Sequence, residues 1–289
     1  MSETISNKAA MAQIFKAFEK AVSDARPPQE GDYIGGDGLL YCGKCNTPKQ
    51  CRITIFDEVR TPYCMCACEK EAAKREDEAN AKEAEVRRIR ELRQTGFPDS
   101  EMQNWTFEKD DGANEKLSTV ARRYVDNFDE MYQRKKGLLL YGSVGTGKTF
   151  IAACIANALI DRGYKCMVTN FARLVNIISG RDDKQEYLDG LNSFDLLVID
   201  DLAAERDTEY MQEIVTNIID ARYRSGKPLI VTTNLTKDEL SNPAETRRKR
   251  IFSRLFEMTI PIAVNGADRR KDRLRQDYND MQKLLGLGG

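Results

Sequence analysis

A glycine-rich loop between an apolar stretch and a helical stretch constrains the fold of this chain more than any other feature. Residues 142–149 read Gly-Ser-Val-Gly-Thr-Gly-Lys-Thr, which fits the pattern G-x-x-x-x-G-K-[ST] in full. The loop follows the apolar stretch Leu138–Tyr141 and precedes the helical stretch Phe150–Arg162. In that context the pattern is typical of a phosphate-binding loop, or P-loop. The sequence therefore predicts a nucleotide site where a strand passes into a helix.

The residue types of this loop match the chemistry of phosphate binding. Backbone N–H groups must point inward at phosphate oxygens, and glycines allow that path and a close approach. The helix that follows adds its dipole. We expect Lys148 to neutralise β- and γ-phosphate charge and Thr149 to give its hydroxyl to Mg²⁺. The predicted nucleotide-binding residues of the loop are Gly142, Ser143, Val144, Gly145, Thr146, Gly147, Lys148 and Thr149.

Two further apolar stretches end in polar residues that suit the same site. The stretch that begins at Leu196 ends in Asp200 and Asp201. At the carboxyl end of a parallel strand, both would face the P-loop across the crevice where such sheets bind ligands. We expect Asp200 to act on the Mg²⁺ side, and Asp201 to orient and deprotonate the attacking water. The stretch Leu229–Thr233 is followed directly by Asn234. Asn234 is the predicted sensor, the residue that holds the water or the γ-phosphate.

Apolar stretches alternate with helical ones throughout residues 96–289, and this predicts an α/β domain with a parallel sheet covered by helices on both faces. The chain between the P-loop and Asp200 has room for one strand. This spacing is typical of P-loop NTPases with an additional strand. In those proteins the acidic residue and the polar sensor lie on neighbouring strands. The five predicted strands lie near Leu138–Tyr141, Cys166–Thr169, Leu196–Ile199, Leu229–Thr233 and Met258–Ile262.

The cysteine distribution predicts a metal site ahead of this domain. Six of the eight cysteines lie within residues 42–68, and the chain contains no histidine. Because a cytosolic chain keeps its thiols reduced, the cluster indicates metal binding before disulfides. Cys42 and Cys45 would supply two thiolates, and two of Cys64, Cys66 and Cys68 would supply the others. Tetrahedral Zn²⁺ bound by four cysteines is the expected site, and an iron–sulfur cluster is the alternative.

Composition excludes other classes of protein. The net charge of −1 excludes a protein that coats nucleic acid by bulk charge, although it leaves room for a local basic strip. No apolar run approaches the roughly 18 residues of a membrane span, and the N-terminal residues lack the apolar core of a secretory signal, so we expect a cytoplasmic protein.

The predicted organisation is an N-terminal helix and loop (1–40), the cysteine module (41–68), a charged helical spacer (69–95) and the α/β domain (96–289).

Several segments together resemble one family, the AAA+ ATPases that load replicative helicases, of the DnaC/DnaI kind. The matching segments are Asn104–Phe107, Tyr141–Thr149, Leu196–Leu202, Val231–Leu235 and Arg250–Leu255. This resemblance implies ATP and Mg²⁺ as cofactors, self-association into an AAA+ oligomer, and slow turnover because Asp stands at position 201. It also implies a cysteine-rich module with a Cys-x-Cys-Glu ending, and hence Cys66 and Cys68 as the second ligand pair, with Cys64 as the alternative.

The resemblance also implies roles for residues near the C-terminus and for partners. Arg254 matches the arginine finger that reaches the γ-phosphate of a neighbouring subunit, and Arg270 the second sensor, with Arg269 as the alternative. The helical lid usual in AAA+ proteins is expected to be reduced or absent. The implied partners are a DnaB-type helicase hexamer and single-stranded DNA, the latter tracked by the basic residues of 247–250 and 269–275. Within residues 1–40, an apolar stripe of Ile14, Phe15, Phe18 and Val22 either binds the helicase, as the resemblance favours, or packs against the cysteine module.

Two other functions stay open at this point. ATP-binding helpers of transposition, of the IstB kind, share the ATPase motifs, and nothing in residues 138–270 separates the two groups. A zinc-containing adaptor that binds ATP but hardly hydrolyses it is the third possibility. The cysteine module and the charged spacer favour the loader.

Overall fold

The structure, a computed structural model, describes residues 27–55, 58–97, 99–202, 209–243 and 245–285. Its strands are β1 (Tyr33–Ile34), β2 (Leu40–Tyr41), β3 (Ile53–Ile55), β4 (Glu58–Arg60), β5 (Gly137–Tyr141), β6 (Cys166–Asn170), β7 (Leu196–Leu202), β8 (Leu229–Thr233) and β9 (Thr259–Ala263). Its α-helices are α1 (Ala67–Gly96), α2 (Glu115–Asp126), α3 (Phe128–Gln133), α4 (Lys148–Asp161), α5 (Phe171–Ser179), α6 (Lys184–Leu191), α7 (Glu209–Ser225), α8 (Lys237–Ser241), α9 (Thr246–Met258) and α10 (Arg269–Leu284).

The central sheet is parallel and has the strand order β6-β7-β8-β5-β9. Each of the five strands lies where the apolar stretches predicted one. Strand β8 is inserted between β5, which carries the P-loop, and β7, which carries Asp200 and Asp201. The predicted arrangement, with acidic residue and polar sensor on neighbouring strands, is therefore confirmed.

Apolar helices cover both faces of this sheet because alternate strand residues point to opposite faces. On one face, α4 packs with α2 and α3; Ile151, Ile155 and Leu159 of α4 are among its buried residues. On the other face, α5, α6, α7 and α9 pack around Leu139 and Val231. Since both faces of the central strands are buried, β7 and β8 begin with continuous apolar runs, as parallel strands usually do, whereas the edge strand β9 is mostly exposed.

The cysteine-rich segment folds into two small antiparallel pairs, β1 with β2 and β3 with β4. The first strand of the second pair begins at Ile53. The chain divides into two compact units between Glu85 and Val86. This division falls inside α1, because the end of that helix packs with the second unit, where Ile89 and Leu92 lie against the core. The end of α1 is therefore more than a solvated spacer.

The predictions for the chain ends have mixed outcomes. The predicted N-terminal helix, with its stripe Ile14, Phe15, Phe18 and Val22, lies outside the described residues. After β9 the described chain contains a single helix, α10, where a larger helical lid is usual. Among the described helices, none is both long and apolar enough to cross a membrane.

Candidate functional site

The P-loop runs from the end of β5 to the first turn of α4 along a path that only glycine accommodates at two points. Gly147, which precedes α4, has a φ of 89°, and Gly145 has a φ of 76°. A Cβ at Gly145 would also overlap the carboxylate of Asp268. Both positions lie in the left-handed region, where an L side chain is strained. The glycines of the motif therefore meet a local steric requirement.

Lys148 is nearly buried, with 6% of its surface exposed, at the centre of this loop. Its ammonium group donates hydrogen bonds to the backbone oxygens of Gly142 at 2.8 Å and Ser143 at 2.7 Å. It also donates to Oδ1 of Asn234 at 2.9 Å. These bonds place the cation between the P-loop and the end of β8, and its predicted role in phosphate binding stays a prediction.

Thr149 and Asp200 lie in direct contact. The Thr149 hydroxyl donates to Oδ1 of Asp200 at 2.8 Å. A hydroxyl and a carboxylate are hard oxygen ligands of the kind Mg²⁺ prefers. Thr232 of β8 also donates its hydroxyl to Oδ1 of Asp200. This carboxylate is thus oriented from two sides, by the P-loop helix and by the neighbouring strand.

Asp201 has an unusual backbone conformation, with a φ of 62°. The pairing of β7 with β8 shifts register between Ile199 and Leu202, around this residue. The strained conformation is held because the Asp201 N–H donates to the Thr232 hydroxyl at 2.9 Å. Asn234 in turn donates from Nδ2 to Oδ1 of Asp201 at 3.0 Å. Backbone strain of this kind is concentrated at functional sites, where surrounding contacts maintain it.

Thr232 is the residue of this site that the sequence analysis missed. It is 2% exposed and contacts both acidic residues, since it donates to Asp200 and accepts from the Asp201 backbone. The run Thr232-Thr233-Asn234 was recognised as part of the resemblance, but nothing in one sequence separates the first threonine from the second. The second bonds to the backbone oxygen of Leu202 instead.

The first residue of α10 lies on the P-loop. The Arg269 N–H donates to the Gly145 oxygen at 3.0 Å, and the Arg269 guanidinium carbon lies 3.3 Å from the position of a Cβ at Gly147. That guanidinium also pairs with Asp111 at 3.1 Å. The structure thus brings Arg269 to the site; the side chain of Arg270 lies outside the described part of the structure, so the predicted second sensor stays a prediction.

Arg254 lies on α9 and contacts α7. It forms an ion pair with Asp220, and its guanidinium lies 5.8 Å from the ring centre of Tyr223. Arg250, one turn earlier, approaches the same carboxylate at 3.9 Å. Within the described chain the contacts of Arg254 run to α7 rather than to its own P-loop, so its predicted action on a neighbouring subunit stays a prediction.

The aromatic segment ahead of α2 lies beside the P-loop helix. Trp105 packs against Phe150 with ring centres 5.8 Å apart. Asn157 of α4 donates from Nδ2 to the backbone oxygens of Met102 and Trp105, each at 2.9 Å. These bonds fix the segment against α4.

Four cysteine thiols converge in the first unit. The Sγ atoms of Cys42, Cys45, Cys66 and Cys68 all lie within 4.8 Å of one another. Those of Cys42 and Cys68 are 3.6 Å apart, and those of Cys66 and Cys68 are 3.2 Å apart. Four thiols at this spacing fit around one tetrahedral metal ion. The structure does not bring Cys64 into this set, because its thiol faces the Pro48 oxygen at 3.6 Å.

The surroundings of these thiols differ. The Thr47 hydroxyl, 3.0 Å from the sulfur of Cys45, is the main cause that lowers the pKa of that thiol to about 5. Backbone N–H groups of Cys45 and Lys44 lower the pKa of Cys42. Burial raises the pKa of the Cys66 thiol. Since a metal binds the thiolate form, the pair Cys42 and Cys45 is the part of the cluster best prepared for a cation.

Comparison with known proteins identifies a family whose match begins near the start of α1 and extends through most of the second unit. The model of a family described as IstB-like ATP binding protein matches residues 69–275, well over half of the chain. The chain belongs to the IstB-like ATP-binding family. The predicted relation to AAA+ proteins of the IstB and helicase-loader kinds is confirmed. The cysteine cluster precedes the matched residues.

Individual relatives of this IstB-like chain are named helicase loaders. The replicative helicase loader DnaI of Bacillus subtilis (strain 168) is 28% identical over 164 residues, 51% of this chain and 53% of that protein. The replicative helicase loader DnaC of Escherichia coli (strain K12) is 32% identical over 127 residues, 42% of this chain and 50% of that protein. The chain spans about half the length of these curated relatives.

Solved structures confirm the fold of the IstB-like domain. A crystal structure of DnaI has a TM-score of 0.51 at 24% identity and covers 62% of this chain and 98% of its own. A crystal structure of the DnaC helicase loader has a TM-score of 0.50 at 24% identity and covers 58% of this chain and 100% of its own. The predicted fold class, a five-stranded parallel AAA+ sheet with a cysteine cluster ahead of it, is confirmed.

Proposed function

We propose that this chain is an ATP-switched loader that places a DnaB-type replicative helicase on single-stranded DNA. The observation that carries the proposal is that the matching relatives, DnaI and DnaC, are named replicative helicase loaders. The unbroken network that joins Lys148, Asn234 and Asp201 supports the ATP-dependent part of the proposal.

Each residue of the network has a role in ATP hydrolysis. P-loop N–H groups and Lys148 bind the phosphates, and this positions the γ-phosphate. Thr149 and Asp200 would hold Mg²⁺, which supplies charge neutralisation when bound. Asp201 orients the attacking water and accepts its proton, and Asn234 holds both Asp201 and Lys148. Because Asp201 has a shorter side chain than the Glu usual in AAA+ proteins, we expect slow turnover, which suits a switch.

The subunit interface completes the proposed site. Arg254 acts on the γ-phosphate bound by a neighbouring subunit, because a planar guanidinium matches charge spread over phosphate oxygens. Arg270, or Arg269 in its place, contacts the phosphates of its own subunit. Self-association is therefore part of the proposed mechanism, and turnover should rise steeply with protein concentration.

The four-cysteine cluster holds Zn²⁺ in this proposal. Its sulfur ligands are soft and closely spaced, and a module this small cannot fold on an apolar core alone. A closed Cys₄ set supplies structural stability rather than catalysis. Iron with visible absorbance in place of zinc would identify an iron–sulfur cluster instead.

The partners follow from the same proposal. The helicase binds through residues 1–40, and single-stranded DNA contacts the basic residues of 247–250 and 269–275. Some of these cations are already engaged: Arg248 lies 3.8 Å from Glu245, and Arg247 donates to the Glu209 oxygen at 3.3 Å.

Co-purification with the DnaB-type helicase of the same cell tests the proposal. Full-length chain is mixed with that helicase, ATP and Mg²⁺, and the complex is measured by size exclusion with light scattering. A defined complex is the expected result. Stable binding to a transposase instead would support the IstB-like alternative, which the family description favours. Binding of ATP without turnover, with or without single-stranded DNA, would indicate the adaptor.

A further inference from the structure

A buried lysine lies beside the cysteine cluster. The Lys49 side chain is 2% exposed, and its ammonium donates to Oδ2 of Asp32 at 2.7 Å and to Oε1 of Gln29 at 3.1 Å. A second carboxylate oxygen, Oε1 of Glu69, lies 3.8 Å from the same ammonium. Lysine is almost never fully buried unless it is paired, and here Asp32 and Glu69 supply the opposite charge. The Lys49 hydrogen bond lowers the pKa of Asp32, and the Asp32 hydrogen bond raises the pKa of Lys49.

Each of the two carboxylates also holds the backbone of one cysteine pair. Asp32 accepts a hydrogen bond from the N–H of Gly43, between Cys42 and Cys45, at 3.4 Å. Glu69 accepts one from the N–H of Cys66 at 3.1 Å, and another from the Tyr63 hydroxyl at 2.5 Å. Lys49 therefore stands between a carboxylate fixed to the first ligand pair and a carboxylate fixed to the second.

We propose that Asp32, Lys49 and Glu69, here called the ion triad, position the two cysteine pairs for metal binding, with Lys49 offsetting part of the negative charge of the thiolates and carboxylates. Four thiolates around a divalent ion leave two net negative charges, and two carboxylates add to them. Lys49 supplies a buried positive charge at this point. This inference rests on the proposed metal site, and it assigns a role to residues that do not touch the metal.

Metal affinity in the full-length protein tests the ion triad. Zinc is titrated against a chromogenic chelator for wild type, for Lys49→Met and for the matched control Lys44→Met. Lys44 is exposed and lies between the ligands Cys42 and Cys45 in sequence. Lys44→Met therefore removes the same positive charge as Lys49→Met, at a position closer in sequence to these two ligands. We expect Lys49→Met to weaken zinc binding by roughly 10–100-fold, as is usual for groups that orient metal ligands, and Lys44→Met to weaken it less than about threefold. Equal affinities in both variants would overturn the proposal.

A double variant separates positioning from simple stability. An apolar pair of similar volume often replaces a buried ion pair without loss of stability, so Lys49→Met with Asp32→Leu should recover thermal stability even if Lys49→Met alone unfolds. If the ion triad positions the ligands, zinc affinity in this double variant stays roughly 10–100-fold low. Affinity that recovers together with stability would show a merely structural role and overturn the inference.

Cobalt spectra complete the test with a readout of the ligand set itself. With Co²⁺ in place of Zn²⁺, wild type and the double variant should show the same thiolate charge-transfer and tetrahedral bands at saturation, and the variant should need more metal to reach them. Altered bands would mean that the ligands themselves changed, against the proposal. A wild-type protein that binds neither zinc nor cobalt would overturn the proposed metal site. Wild-type metal affinity in Lys49→Met would overturn only the role of the ion triad, so the two failures are distinguishable.

Discussion

Lys148 donates a hydrogen bond to Oδ1 of Asn234 at 2.9 Å, and the amide nitrogen of Asn234 donates to Oδ1 of Asp201 at 3.0 Å. One side chain at the end of β8 thus joins the phosphate-binding cation to the carboxylate proposed to orient water. An amide is suited to this position because it accepts with its oxygen and donates with its nitrogen. In the proposed function, Asn234 therefore couples phosphate occupancy to the position of Asp201.

Asn234→Ala should reduce ATP turnover by roughly 10²-fold, since loss of one oriented polar group at a reacting centre has an effect of that size. Nucleotide binding should change far less, because Lys148 keeps its bonds to Gly142 and Ser143. Steady-state turnover and binding of a fluorescent ATP analogue measure the two effects. An equal loss in the exposed control Asn242→Ala, or unchanged turnover in Asn234→Ala, would contradict the sensor role.

Thr232→Val should reduce Mg²⁺-dependent turnover by about 10–100-fold, because it removes two hydrogen bonds at the acidic pair, each worth about 1 kcal/mol or more. The matched control is Thr233→Val on the same strand, where the hydroxyl bonds to the Leu202 oxygen and not to Asp200. Both threonines are buried, so both variants should lose stability in thermal unfolding. Only Thr232→Val should also require more Mg²⁺ for half-maximal turnover. The same Mg²⁺ requirement in both variants would argue against the assignment.

Cys66→Ser should lose the metal, whereas Cys64→Ser should keep it, because only the first of these thiols lies in the convergent set. Elemental analysis of the purified full-length variants measures the metal per chain, and one zinc is expected in wild type. Cys154→Ser is a further control, since that thiol is buried in α4 of the second unit. Zinc retained in Cys66→Ser and lost in Cys64→Ser would reverse the ligand assignment.

Much of the fold and part of the candidate site could be predicted from the sequence. Apolar stretches and the P-loop pattern predicted all five strands of the sheet, because a parallel sheet buried on both faces leaves a strong local signal. The convergence of Cys66 and Cys68 with Cys42 and Cys45 agrees with the ending implied by family resemblance. Local sequence patterns were sufficient to predict the strands and the P-loop, because the residues that determine them are close in sequence.

Contacts between distant segments could not be predicted in this way. The left-handed conformation of Asp201 depends on Thr232 in another strand, and the burial of Lys49 depends on Asp32 and Glu69. Similarly, Arg269 contacts the P-loop from the first turn of α10, and Asp220 of α7 pairs with Arg254 of α9. A single sequence gives no register between such segments, so these partners emerge only from the fold.

Arg254→Ala and Asp201→Asn should each abolish ATP turnover, and a mixture of the two variants should recover part of it. The reason is that mixed oligomers contain some interfaces with an intact Asp201 on one side and an intact Arg254 on the other. Turnover is measured across mixing ratios, with co-assembly shown independently by light scattering. Asp220→Asn serves as a companion variant: it removes the charge that pairs with Arg254 inside one chain and should not by itself abolish turnover. Co-assembly without recovery would place the action of Arg254 within its own subunit.

Helicase loading itself is the most direct measurement of the central proposal. Circular single-stranded DNA is incubated with the DnaB-type helicase, ATP and either wild type or Lys148→Ala, and helicase bound to the isolated circles is quantified. We expect wild type to increase bound helicase severalfold, and we expect this increase to require ATP and to disappear with Lys148→Ala. An unchanged amount of bound helicase, in the presence of wild type that binds and hydrolyses ATP, would contradict the proposal.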